Sequence, residues 1–311
     1  MSSPSPAHRR AVDAQLGFAL AAVLFGIMAF AAKVASARIG GSQVALVRFS
    51  VGALPILLVP SSLGARRIGR WDLLVYRGLF GGLAVLLYFL AIEHVPVGLA
   101  TLLNATSPVF AVLFAALLLG EGVRPVILLP AAGAFAGVML VLRFRPGAAS
   151  WHAAVGPWEV AGLASAVLAG AAVAAIRAAR RSEGSWSIFA SFTLFGVLCT
   201  LPLGVTRWVT PTVSEWVWLA LVGLTSLAAQ LLMTWAFRWV DNLQAGVIAQ
   251  LSVVVSMALG VGFLDDRLAP LQALGALLTI ASVVVVIALG APAVPSPSGT
   301  RRGPEPRGRE A

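Results

Sequence analysis

The chain carries very little charge for its length. Asp, Glu, Lys and Arg together make up 11% of its 311 residues, whereas 59% of the residues are hydrophobic. A soluble domain contains about a quarter charged residues, so this chain has too few polar groups to cover a surface that faces water. The composition therefore excludes a soluble globular protein and predicts a protein that lies in a lipid bilayer.

Cysteine, lysine and histidine are also scarce. Their only occurrences are Cys199, Lys33, His8, His94 and His152. A single cysteine cannot form a disulfide within a chain, and the histidines do not have the spacing of a metal site. The sequence has neither a Gly-rich phosphate loop ending in Lys-Ser/Thr nor a Gly-x-Ser-x-Gly elbow. We therefore predict no metal, no cofactor and no enzymatic activity. An intramembrane enzyme is the alternative, but no nucleophile and base are visible.

The net charge of +10 could indicate nucleic-acid binding in a soluble protein. Here most charged residues lie in short breaks between apolar runs and in two tails, and no basic face alternates with aromatic residues. Basic residues are about twice as frequent in the segments that would be cytoplasmic if the N-terminus is inside the cell. We therefore predict no nucleic-acid partner and place both termini in the cytoplasm. Arg greatly exceeds Lys, with abundant Ala and Gly, a bias that indicates a high-GC bacterial genome. We therefore place the protein in a bacterial inner membrane.

What the chain does have is long apolar runs. Most are 18 to 24 residues long, and a helix of that length crosses a hydrocarbon core of about 30 Å. Helix is the required conformation, because lipid offers no partner for unpaired backbone groups. The ten runs cover residues 14–36, 43–60, 72–92, 96–119, 124–143, 157–179, 186–205, 215–237, 242–264 and 270–290.

The two halves of the chain resemble each other at a constant shift of 145 positions. Identical pairs include Gly17 and Gly162, Gly78 and Gly223, Val95 and Val240, Ser107 and Ser252, and Pro125 and Pro270. The shift defines a first unit at residues 14–145 and a second at 157–290, each with five apolar runs. An odd number of spans makes the second unit enter the membrane in the opposite orientation. We therefore predict an all-α integral membrane protein with ten transmembrane helices in two inverted five-helix repeats.

The segments outside the repeats are polar. Residues 1–13 are predicted to be a cytoplasmic N-terminal tail, and residues 291–311 a disordered cytoplasmic C-terminal tail rich in Pro, Gly and Arg. A signal peptide is the alternative for the first run, since His8–Arg10 precede it and Ala35–Ala37 resemble a cleavage site. The run is long for a signal peptide, and its counterpart near Gly162 lies in the middle of the chain.

Short motifs in the third to fifth helices of each half carry a family resemblance. They are Tyr88 to Val95, Ser107-Pro108, Leu119-Gly120-Glu121, Gly133 and Gly137 in the first half, and Leu264-Asp265-Asp266, Pro270 and Gly275 in the second. Together with the repeat, they are similar to the drug/metabolite transporter superfamily and, within it, the EamA family. Its signature is a Gly-Glu pair that closes the fourth helix, followed by a Gly-spaced fifth helix. The second half departs from this signature, with Asp265-Asp266 at the pair.

The resemblance implies a ten-helix bundle around a central cavity, lined mainly by the first four helices of each half. It also implies transport of small metabolites or amino acids, often outward. We expect Glu121 and Asp266 to cap helix ends or to pair with Arg124 and Arg267. The small-residue pairs Gly78–Gly82 and Gly133–Gly137 predict close helix packing.

Arg48 is the most informative charge, because it lies inside the second apolar run. A charge near the centre of a membrane helix costs about 2.5–3.5 kcal/mol on insertion scales. Arg48 either faces the central cavity and attracts an anionic or zwitterionic substrate, or is structural and snorkels to the outer headgroups or pairs with Glu93. Arg77 lies near the cytoplasmic end of its run, where we expect it to snorkel to that side.

Uncharged polar residues inside the runs are further candidates. Thr101, Asn104 and Ser107 share roughly one face of the fourth helix, and Pro108 leaves the carbonyl of Asn104 without its helical hydrogen bond. These residues either line a hydrogen-bonding cavity or join neighbouring helices, at about 0.6 kcal/mol per contact. The predicted substrate-binding residues are Arg48, Tyr88, Thr101, Asn104, Ser107, Gln230, Thr234 and Gln250.

Acidic residues are absent from the middle of the runs. All 12 lie in the tails or near run ends, and none falls between Leu16 and Ala32. Small multidrug exporters related to this superfamily use a glutamate in the first helix to exchange protons for cationic drugs, so that function is disfavoured. We predict a secondary transporter for an amino acid or related zwitterionic or anionic metabolite, moved outward by alternating access. Alternatives are a lipid flippase or scramblase, a multidrug exporter of the same fold, and a scaffold or receptor subunit. The expected partners are a small-molecule substrate and the bilayer, and we expect a monomer or homodimer.

Overall fold

The computed structural model describes residues 6–58, 69–119, 125–144, 155–179, 182–236 and 247–290, and every regular element within these ranges is helical. The helices are α1 Pro6–Ile39, α2 Gly41–Leu58, α3 Trp71–His94, α4 Val97–Asn104, α5 Ser107–Leu119, α6 Leu128–Arg143, α7 Pro157–Ala179, α8 Ser185–Thr206, α9 Val213–Ala236, α10 Leu251–Phe263 and α11 Pro270–Gly290. A short 3-10 helix at Pro125–Ile127 precedes α6.

Every predicted apolar run contains helix. Seven segments within the described ranges are long and apolar enough to cross a membrane: Asp13–Ile39, Gly41–Leu58, Trp71–His94, Val97–Phe114, Pro157–Ile176, Trp186–Thr206 and Val213–Met233. Three shorter apolar helices occupy Leu128–Arg143, Val247–Phe263 and Pro270–Val285. The predicted helical class is therefore confirmed.

The first helix begins earlier than the sequence suggests. α1 starts at Pro6, so the predicted tail boundary at residue 13 falls inside a helix. Proline is favoured at the first position of a helix, and the Ala and Arg residues that follow are good helix formers. The predicted C-terminal tail at 291–311 lies outside the described residues.

The fourth apolar run forms a broken helix. α4 ends at Asn104, and α5 begins at Ser107. Pro108 cannot donate a backbone hydrogen bond, which accounts for an interruption at this place. The second unit is interrupted at Gln250, 145 positions after Ala105, although Val253 stands at the position that corresponds to Pro108. Proline is therefore not the cause of the second break.

Helices from the two units pack directly on one another. α3 packs on α7 and α8, α1 packs on α9 and α10, and α6 packs on α11. Glycines permit the closest approaches. A Cβ atom on Gly137 would lie 2.6 Å from the carbonyl oxygen of Gly275, and one on Gly78 would lie 2.5 Å from a ring carbon of Phe195. The predicted close packing at both glycine pairs is confirmed.

One end of the bundle is held together by contacts between the two units. We call it the closed end and define it by the connections at Gly40, Val95–Pro96, 207–212 and 264–269. Arg38 Nε donates a hydrogen bond of 2.6 Å to the Glu215 carboxylate. The Gln43 side chain exchanges two hydrogen bonds of 2.9 Å with the backbone of Val209.

The connection between α3 and α4 adds further contacts at the closed end. Lys33 Nζ donates to the carbonyl oxygens of Glu93, at 3.0 Å, and Val95, at 2.9 Å. The Asp266 carboxylate interacts with the backbone N–H of Val97 at the start of α4. Lys33, a residue of α1, lies beside the C-terminus of α3, and Asp266 lies beside the N-terminus of α4. Both charges are therefore stabilised by the helix dipoles. The His94 ring also stacks on Trp158, with 3.6 Å between centroids.

Asp266 lies near the first residue of α4, a helix of the other unit, and its helix-capping role stays a prediction. Burial raises the pKa of the Asp266 carboxyl above its ordinary value, and the charge of Lys33 opposes this rise. The charged neighbour is thus Lys33, whereas the sequence suggested Arg267. Glu121 and Arg124 lie outside the described residues.

Candidate substrate cavity

A cavity of about 320 Å³ lies between the two units. That volume is at the lower end of the range for small-molecule sites, which is about 300–1,000 Å³. Residues from α1 to α5 and from α7 to α10 surround it, together with the turn at Gln250. On α1 the cavity runs from Phe18 to Met28, and on α3 from Arg77 to Phe89. It therefore stops short of the closed end, where Ile39 and His94 terminate these helices.

Arg48 projects from α2 into this cavity. The residue is 7% exposed, and its Nε donates a hydrogen bond of 2.7 Å to Ser226 Oγ. Its Nη1 is buried without a hydrogen-bond partner among the described residues. The guanidinium carbon lies 5.0 Å from the ring centroid of Phe49 and 5.7 Å from that of Phe89. A guanidinium with an unused donor in an apolar pocket is prepared to bind an anion.

The two structural roles considered for Arg48 are wrong. The Glu93 carboxylate lies at the closed end, where it accepts a hydrogen bond of 2.6 Å from the backbone N–H of Gly41. Arg48 does not snorkel to the outer surface, because its guanidinium faces the cavity and bonds Ser226 of the second unit.

Arg77 is a second arginine in the same cavity. We expected it to snorkel to the cytoplasmic side, and that expectation is wrong, since the residue is 8% exposed and lines the cavity. Its guanidinium carbon lies 4.2 Å from the ring centroid of Phe192. Gly81 makes room for it, because a Cβ there would collide with Arg77 Nη1. A glycine one helical turn after the arginine was the signal in the sequence that could have revealed this inward orientation.

The two guanidinium groups are close to each other. The Phe192 ring centroid is 5.8 Å from the guanidinium carbon of Arg48 and 4.2 Å from that of Arg77, so these carbons are at most about 10 Å apart. At an effective dielectric constant of about 20, two like charges at that distance repel by about 1.7 kcal/mol. None of the described residues that line the cavity is acidic. The cavity is therefore complementary to negative charge.

Seven of the eight predicted substrate-binding residues line the cavity: Arg48, Tyr88, Thr101, Asn104, Ser107, Gln230 and Gln250. The side chain of the eighth, Thr234, lies outside the described part of the chain.

Some of these polar groups also bond neighbouring elements. The hydroxyl groups of Tyr88 and Thr101 are 3.0 Å apart, and Thr101 Oγ1 donates to the carbonyl of Val97 at 2.8 Å. Asn104 Nδ2 donates to Ser165 Oγ of the second unit at 3.0 Å. The same side chains thus line the cavity and join helices, so the two interpretations considered from the sequence are compatible.

Comparison with known proteins identifies the family. The model of the EamA-like transporter family matches the chain twice, at residues 14–143 and 156–288. The chain belongs to the EamA-like transporter family. The family resemblance found in the sequence is thereby confirmed, and the protein is a multi-pass membrane transporter.

Individual relatives agree with this assignment. The chain is 30% identical to the pseudopaline exporter CntI of Pseudomonas aeruginosa strain UCBPP-PA14 over 270 residues, which cover 86% of this chain and 93% of the relative. It is 26% identical to an uncharacterized transporter of Helicobacter pylori strain 26695 over 286 residues, covering 86% and 92%. A solved crystal structure matches with a TM-score of 0.60 at 22% identity, covering 90% of this chain and 98% of that one, and shows the fold alone.

Proposed function

We propose that this EamA transporter exports a small anionic or zwitterionic metabolite across the bacterial inner membrane by alternating access. The observation that carries the proposal is the pair of buried guanidinium groups in one cavity, with no acidic side chain among the described residues around it. Export is supported by the similarity to a pseudopaline exporter. A multidrug exporter of cations is disfavoured, because two arginines would repel a cationic drug.

Alternating access requires two halves that can exchange roles, and the helix packing is consistent with two inverted repeats. The contact of α1 with α9 has its counterpart in the contact of α7 with α3, and the contact of α5 with α7 in that of α10 with α1. The interruptions at Ala105 and Gln250 occupy matched positions. Broken helices near the substrate site are typical of inverted-repeat transporters.

The arginine distribution supports an orientation with both termini in the cytoplasm. In that orientation the closed end faces the outside, because the C-termini of α1 and α3 lie there. The cavity extends from the middle of the bundle away from the closed end. In that orientation the cavity lies on the cytoplasmic side of the closed end.

Transport by purified protein tests this function. We would reconstitute the protein in liposomes and measure exchange of a panel of amino acids and organic anions. Loss of a hydrogen bond to a charged group costs about 1.5–3 kcal/mol, which corresponds to about 10- to 150-fold in affinity. The Arg48→Gln variant should therefore raise the KM of a transported anion by at least about tenfold.

The matched control is Arg70→Gln, which removes an exposed arginine that pairs with Asp72 outside the cavity. It should leave the KM unchanged. An unchanged KM in Arg48→Gln would remove Arg48 from the substrate site. Lipid scrambling without exchange of any solute would favour the flippase alternative.

A further inference from the structure

The cavity contains two separate groups of unused hydrogen-bond donors. Arg48 Nη1 and Arg77 Nε are both buried and have no partner among the described residues. They belong to different helices, α2 and α3, and the guanidinium groups share contact with the ring of Phe192. A buried donor without a partner costs free energy. Each arginine therefore lacks a hydrogen-bond acceptor, which a bound anion would supply.

Charge balance shows how many anionic groups are needed. One carboxylate would compensate one guanidinium and leave the other charge buried without compensation, which is unfavourable in an apolar environment. Two carboxylates would compensate both. No acidic side chain among the described lining residues could pair with the ammonium group of a zwitterion. The cavity therefore favours two negative charges over one negative and one positive charge.

The spacing of the arginines is compatible with a single small molecule. The guanidinium carbons are at most about 10 Å apart, and each lies within 5.8 Å of the ring centroid of Phe192. A short aliphatic chain can pack on the apolar side chains that line the cavity, such as Phe25 and Val85, while its two ends reach the two arginines. The cavity volume of about 320 Å³ accommodates a solute of this size.

We propose that the substrate is a dianion, with two carboxylate or equivalent acidic groups joined by a short apolar linker, and that Arg48 and Arg77 each bind one of them. This inference rests on the proposed function, because it names the substrate class of the same cavity. It goes further in requiring two anionic groups on one solute.

Ligand-induced stabilisation of the full-length protein in detergent tests the proposal without transport. The probes are succinate, glutarate and adipate, each compared with its monomethyl ester at matched ionic strength. A ligand that binds the folded state raises the melting temperature, and at a fixed ligand concentration the ligand with the lower Kd raises it more. We expect at least one diacid to bind at least tenfold more tightly than its monoester. Equal binding of both, or stabilisation by none of the diacids, would overturn the proposal.

Variants then test the separate roles of the two arginines. In Arg77→Gln and in Arg48→Gln, the affinity for the diacid should fall to that of the monoester, while Arg70→Gln should keep the preference. If either cavity variant does not fold, the corresponding lysine variant replaces it and should retain part of the preference. An unchanged preference for the diacid in either cavity variant would contradict the assignment of that arginine.

The outcomes separate this inference from the proposed function. If the liposomes exchange monocarboxylates or amino acids but no diacid, the result would contradict the dianion inference and leave the transporter assignment intact. Selective diacid binding with no flux of any solute would support the inference and count against the transport function.

Discussion

Replacing Arg77 by glutamine should stabilise the protein while it weakens transport. The wild-type residue is only 8% exposed and shares the cavity with Arg48. Its removal relieves a like-charge repulsion of about 1.7 kcal/mol, which is a lower bound because the distance between the groups is an upper bound. It also removes a buried charge, whose cost is at most about 2.5–3.5 kcal/mol, the value at the centre of a membrane helix, since Arg77 lies nearer the helix end.

One favourable interaction is lost in the same substitution. The Arg77 guanidinium lies 4.2 Å from the ring centroid of Phe192, and a desolvated cation–π contact contributes about 2 kcal/mol. The balance is a gain of up to about 3 kcal/mol in the free energy of unfolding. The variant should therefore melt at a higher temperature and transport less, because a group kept for binding reduces the stability of the empty protein.

Thermal unfolding in detergent, followed by tryptophan fluorescence, measures this difference. Arg70→Gln is the control, because it changes the same residue type immediately before α3, at an exposed site outside the cavity. It should leave both the melting temperature and the transport rate unchanged. A lower melting temperature for Arg77→Gln, with the control unchanged, would show that Arg77 is stabilised by its surroundings and would refute the charge argument.

Three further predictions concern the helix packing and the closed end. Gly137→Ala places a Cβ 2.6 Å from the carbonyl oxygen of Gly275 and should reduce the free energy of unfolding by about 1–3 kcal/mol. The control is Gly184→Ala, whose Cβ would have nothing within 4 Å and which should not reduce it. Equal melting temperatures of the two variants would contradict the packing of α6 on α11. Lys33 is the only lysine in the chain, and its ammonium group bonds backbone carbonyls at the closed end. A membrane-impermeant amine reagent should therefore modify Lys33 only when the closed end separates, and mass spectrometry detects the modification. Modification that does not depend on an added substrate gradient would count against alternating access. Because burial raises the pKa of Asp266 in the folded protein, the folded state binds that proton more tightly, and stability should decline as the pH rises from about 3.8 through the raised pKa. Asp266→Asn should remove this decline, as measured by melting temperatures of the two proteins from acidic to neutral pH, and an identical pH profile would exclude Asp266 as its source.

Much of the candidate site was accessible from the sequence, because polar residues are rare in apolar runs and therefore stand out. Seven of the eight predicted residues line one cavity. Arg77 was missed because its position near a run end is equally compatible with snorkelling. Its inward orientation depends on space at Gly81 and on the ring of Phe192, which belongs to the other unit.

The amino-acid sequence alone determined the helical class, the position of the apolar segments and the family. The helical class and the apolar segments follow from local physics, since lipid requires apolar helices of a certain length, whereas the family follows from short motifs and the internal repeat. Only the tertiary structure decided which groups lie next to each buried charge. Arg48 bonds Ser226 and shares the cavity with Arg77, and Asp266 lies near Val97 and Lys33. Such encounters join residues far apart in the chain, and they depend on how the helices of the two units pack.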